Sequence, residues 1–69
     1  MKKIKEKTLT ERDIKILKLV SEGKSNTQIG KELIISPYTV KAYLKEIFNK
    51  LGVRDRISAS VKAIRENLL

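Results

Sequence analysis

The chain has no cysteine, no histidine and no tryptophan among its 69 residues, and only one proline, three glycines, two tyrosines and one phenylalanine. Without cysteine there is no disulfide framework and no thiolate zinc site, so the core must hold by packing alone or with a partner chain. Without histidine as well, the usual metal ligands, nucleophile–base dyads and near-neutral proton carriers are missing. Little proline and glycine with 41% hydrophobic residues argues for a folded chain rather than a disordered one. No apolar run approaches the roughly 20 residues of a membrane span, and no signal-peptide core follows Met1. The length admits one small domain, which at this size buries only about 60% of its unfolded surface. Enzyme, disulfide scaffold and membrane protein are poor readings, and no cofactor, metal or small-molecule ligand is expected. What is left is a small, basic, intracellular binding domain.

Lysine and arginine number 16 against 8 acidic residues, a formal charge of +8. Such an excess fits nucleic acid, an acidic lipid surface or mere solubility, so its distribution matters. Lys2, Lys3, Lys5 and Lys7 against Glu6 make residues 1–7 a basic N-terminal tail, read as solvated, ahead of a domain over residues 8–69. Residues 8–36 are nearly balanced, and the second half is basic again.

Four helix starts can be read from capping residues. Thr10 caps the first, with Asp13 at the return position of a capping box and Leu9 and Ile14 placed as a hydrophobic staple. Asp is shorter than the usual Glu and should reach back less well. Ile16, Leu17 and Val20 follow at helical spacing, and Gly23 supplies the stop, giving a helix from about Glu11 to Glu22. Ser25 and Gln28 open a second, short helix with Ile29 and Leu33 on one edge, ending near Ile34. Ser36 caps a third, with Pro37 at its first position. Val40, Leu44, Ile47 and Leu51 form its apolar stripe before Gly52, and Val53 is placed to touch Phe48. Asp55 caps a fourth, for which Ile57, Val61, Ile64 and Leu68 are the expected core face. No segment alternates with period two, so the fold class is all-α, with four helices.

Only Ile34, Ile35 and Ser36 separate Leu33 from Pro37, a linker short enough to force a helix-turn-helix angle. Gly30 supports this, because glycine inside a helix costs about 1 kcal/mol against alanine and invites a packing reason. Many such motifs place glycine at the turn, where this chain has Ile34. Removing the apolar stripe from the third helix leaves Tyr38, Thr39, Lys41, Ala42, Lys45, Glu46 and Asn49 facing outward. An α-helix fits the major groove of B-DNA, where Lys41 and Lys45 can donate to guanine and Ala42 can meet a thymine methyl. Tyr38, Thr39 and the amide ends of the second and third helices suit phosphate oxygens. On an arbitrary helix the two lysines would read as solvated; after Ser-Pro at a tight turn in a basic chain, they read as base contacts. Glu46 reads as a local ion-pair partner. Tyr43 is left between half-buried core and phosphate contact.

The segments Leu9–Asp13, Gly23–Ile29, Ile35–Lys41 and Asn49–Arg56 together resemble the LuxR/GerE-type helix-turn-helix domain, the output module of many bacterial transcription regulators. The resemblance runs from Leu9 to about Ala63. It implies four helices, the second and third reading DNA and the fourth pairing two subunits, in a protein of the bacterial cytoplasm and nucleoid. Its base-reading positions fall on Lys41, Ala42 and Lys45, and its backbone contacts on Asn26, Thr39 and Lys50. Its dimer surface includes Ser60, Ala63 and Asn67. This chain departs from the pattern in four places. Lys15 replaces a usual Glu, which removes or rearranges a common ion pair; Tyr43 replaces a frequent His and Gly30 a frequent Ala. Ser60 stands at a usually aliphatic position, which weakens the expected dimer. Starting with Met and too short for a receiver or ligand-binding domain, the chain is similar both to the free-standing GerE-like regulators and to an isolated C-terminal output domain.

The expected function is therefore sequence-specific binding of double-stranded DNA as a homodimer, with RNA polymerase as a further partner. Two rival readings fit the same residues. Region 4 of a sigma factor shares the Leu-Thr-Glu-Arg opening and the Thr-Val-Lys recognition helix, without a self-pairing fourth helix. A protein-interaction module would carry its lysines for solubility alone.

Overall fold

In the computed structural model, which describes residues 9–69, four side-chain oxygens start four helices. Thr10, Ser25, Ser36 and Asp55 each accept a hydrogen bond from the backbone N–H three residues on, over 3.0, 3.1, 3.1 and 2.8 Å. They begin α1 (Glu11–Ser21), α2 (Asn26–Leu33), α3 (Pro37–Leu51) and α4 (Arg56–Arg65). No strand occurs among the described residues, and the fold is all-α as expected. The basic tail assigned to residues 1–7 lies outside the described residues.

The helices also end alike. In each, a residue with positive φ reverses the chain, and the next N–H returns to the carbonyl five residues back. The reversing residues are Gly23, Ile34, Gly52 and Asn67. The returning bonds are Lys24 to Leu19, Ile35 to Gly30, Val53 to Phe48 and Leu68 to Ala63, at 2.8 to 3.1 Å. The two glycines are legible stops. Ile34 and Asn67 are not; Asn67, expected at a dimer surface, is exposed and also reverses the chain after α4.

The core is drawn from every helix: Ile16, Leu17, Leu19 and Val20 of α1, Ile29 of α2, Val40, Leu44, Ile47 and Leu51 of α3. From α4 come Ala59 and Ala63, both fully buried. This reverses the expected core face of that helix. Ile57, Val61 and Ile64 are 77%, 44% and 64% exposed. At 3.6 residues per turn, the two alanines lie on the opposite side of α4 from these three. The small side lets α4 lie close against α1, whose bulky side chains already fill the space between them. Of the expected stripe only Leu68 packs on the core, and it does so beyond the helix, turned back by Asn67.

Asp13 is the one buried charged residue among those described. Despite its short side chain, its Oδ2 accepts the Thr10 N–H over 3.0 Å and completes the capping box. The same oxygen accepts from Lys50 Nζ over 2.7 Å, so one carboxylate both starts α1 and ties it to the last turn of α3. Lys15, where the resemblance expects an acid, lies exposed on α1; the ion pair between these helices is carried by Asp13.

Candidate nucleic-acid interface

The turn between α2 and α3 is set by backbone packing. A Cβ on Gly30 would stand 2.6 Å from the Ile35 carbonyl oxygen, so the turn itself closes onto α2 where a side chain is absent. Ile34 then takes φ 59° and ψ 49° in the position where glycine is customary, with its side chain 89% exposed. A β-branched residue is strained there. The turn's remaining partners, the Ser36 cap and Pro37 at the first position of α3, hold the conformation.

α3 presents two unlike faces. Val40, Leu44, Ile47 and Leu51 are buried, while Lys41, Ala42, Lys45, Glu46 and Asn49 are exposed and Tyr38 is 85% exposed. The three expected base-reading residues thus share one open surface, with the two ammonium groups one turn apart and a methyl between. None of the described acidic groups pairs with Lys41 or Lys45 within 4 Å.

The expected backbone contacts divide. Tyr38 stands free beside the base-reading face. Thr39 is half-buried, and its hydroxyl lies 3.1 Å from Ser36 Oγ. Asn26, at the start of α2, has its Oδ1 taken by Arg56 Nη1 over 2.7 Å, which leaves the amide N–H groups as its donors. Lys50 is corrected: its ammonium is bonded to buried Asp13, and it is a structural ion-pair partner rather than a free surface cation. Tyr43 packs against the core with the Arg12 guanidinium 3.9 Å above its ring, a cation–π contact that settles it as half-buried core.

On α4, Ala63 is corrected as well. It is fully buried within the subunit and has no surface to offer a partner. Ser60 is half-buried and donates to the Arg56 carbonyl over 2.9 Å. The open apolar ridge is Ile57, Val61 and Ile64, signalled in the sequence by its spacing but read there as core.

A helix with an open, cationic outer face behind a tight turn, on a four-helix core, defines a helix-turn-helix domain of the DNA-binding class. The description "Bacterial regulatory proteins, luxR family" matches residues 7–63. The chain belongs to the LuxR family, as the DNA-binding domain of a transcriptional regulator. It is 47% identical over 62 residues to the transcriptional regulatory protein LiaR of Bacillus subtilis, covering 90% of this chain and 29% of LiaR. It is 42% identical over 57 residues to DegU of Brevibacillus brevis, covering 83% of this chain and 24% of that protein. The crystal structure of the response regulator ChrA, from a heme-sensing two-component system, superposes with a TM-score of 0.86 at 40% identity. That match covers 90% of this chain and 31% of the other. The chain therefore spans under a third of the length of each of these relatives.

Proposed function

We propose that the domain binds a pseudo-palindromic promoter site as a homodimer, one α3 in each of two adjacent major grooves. Lys41, Ala42 and Lys45 read the bases. Tyr38, Thr39 and the amide of Asn26 hold the phosphate backbone. The Thr39 hydroxyl, 3.1 Å from Ser36 Oγ, can turn its own proton to a phosphate oxygen when Ser36 is the donor of that pair. The bound dimer, at the bacterial nucleoid, recruits or blocks RNA polymerase. The role is non-enzymatic: what the site offers is donors, methyl groups and shape.

The observation that carries this reading is the two-faced α3, anchored by four buried aliphatics and bare on the side that holds both lysines. Pairing through α4 is supported by the ridge of Ile57, Val61 and Ile64, an apolar surface that a monomer gains nothing by exposing. The ridge supplies aliphatic contact despite Ser60.

Titration of palindromic and random duplexes against salt tests the reading. A dimer neutralising about 6–10 phosphates loses roughly 10³–10⁵ in affinity between 50 and 200 mM salt. A flat response on both duplexes would leave only a protein-interaction module. Sedimentation of the complex separates the sigma-factor alternative, which requires a monomer on a single half-site.

A further inference from the structure

Arg56, the first residue of α4, reaches the start of α2. Its Nη1 donates to Asn26 Oδ1 over 2.7 Å and its Nη2 to the Lys24 carbonyl over 2.8 Å. The two acceptors flank Ser25, the cap of α2, so one planar guanidinium grips the helix start on both sides. Such a fork fixes orientation as well as distance. An asparagine whose oxygen is held in this way has its amide nitrogen turned to the other side, with both N–H groups unspent.

We infer that Arg56 is a positioning residue for DNA binding: it aims the Asn26 amide at a phosphate and locks the phosphate-facing end of α2 to the helix proposed to pair the subunits. The inference rests on the DNA-binding reading above. Without the fork, the Asn26 side chain rotates freely, and either of its ends can meet the backbone. The carbonyl end is repelled by a phosphate oxygen. Because α4 begins at Arg56, the same two bonds relate the phosphate contact to the ridge of Ile57, Val61 and Ile64. The guanidinium itself makes its bonds within the domain and is not the phosphate ligand.

The test compares Arg56→Lys, Asn26→Ala and the double variant, each measured for duplex affinity across salt at a temperature where thermal melts show all three folded. Lysine keeps the charge and one bond to the Lys24 carbonyl but cannot span both acceptors. The dimer carries this contact twice, so each single variant should weaken binding by about 10- to 100-fold, one hydrogen bond per subunit, with no change in the slope of log affinity against log salt. The double variant should bind no more weakly than the singles, because both remove the same contact. Independent losses that multiply in the double variant would overturn the proposal. So would an Arg56→Lys protein that binds like the original chain. An Arg56→Gln protein whose salt slope falls by about 1.8, or about 0.9 per subunit, would make Arg56 a direct phosphate ligand, which also overturns it. A flat salt response of the unaltered chain would instead overturn the DNA-binding reading itself.

Discussion

Lys50 and Asp13, 37 residues apart, meet at 2.7 Å, and the carboxylate in this pair has no exposed surface. Removing one partner of a buried pair strands the other, at about 3–5 kcal/mol. A domain of this size has only about 3–10 kcal/mol of stability, by the usual 0.05–0.15 kcal/mol per residue. Lys50→Ala should therefore lower the denaturant midpoint steeply, near the low end of the pair range because Lys50 stays 21% exposed. Were Lys50 a free phosphate contact, the midpoint would not move and only DNA affinity would fall.

The same pair makes stability depend on acid. Burial pushes the Asp13 carboxyl up, but the hydrogen bonds from Lys50 and Thr10, with the ammonium charge, outweigh it and hold it below the ordinary value. A carboxyl depressed in the folded state stabilises above its unfolded value, about 3.9, and that contribution is lost as pH falls through the lower folded value. The backbone N–H of Ser58 depresses the exposed Asp55 cap in the same direction. Melts between pH 6 and 3 should show the decline, a shallower one for Asp13→Asn, and the shallowest when Asp55→Asn is added.

Ile34 offers a stabilising change. Its left-handed backbone costs a non-glycine residue roughly 1–2 kcal/mol, and at 89% exposed its side chain returns little packing. Ile34→Asn should raise stability by about 1 kcal/mol with an unchanged denaturant slope. Glycine should help less, because it frees the unfolded chain. A lower midpoint for the asparagine variant would show that the isoleucine is held by packing.

The two sides of α4 should respond oppositely. Ala63→Leu overfills the contact with α1 and should cost about 1–3 kcal/mol of folding stability. Ile64→Asp, on the open ridge, should leave the melt of the monomer nearly unchanged and abolish dimers in sedimentation. Dimers that survive Ile64→Asp together with Val61→Asp would place the pairing surface elsewhere.

For base reading, Lys41→Ala and Lys45→Ala should each change the preferred base at one position, by about 1–3 kcal/mol, in a selection over randomised duplexes. A uniform loss over all sequences would reassign both lysines to the backbone.

The helix starts, the all-α class and the outward face of α3 were legible in the sequence because caps and a four-three-four apolar spacing act within a few residues. α4 shows where such local signals stop. Its larger apolar side chains trace a helical stripe as good as any in the chain, yet the alanines face inward. Burial there depends on how near α1 lies, a distance no spacing along α4 encodes.

Sequence alone determined where each helix begins, which side of α3 is anchored and which residues stand on its open side, since those rest on contacts between near neighbours. Tertiary structure decided that Lys50 answers Asp13, that Arg56 grips the start of α2 and that Ile57, Val61 and Ile64 remain uncovered. Each of these joins groups brought together only when helices pack, where space and charge left by one element choose the partner on another.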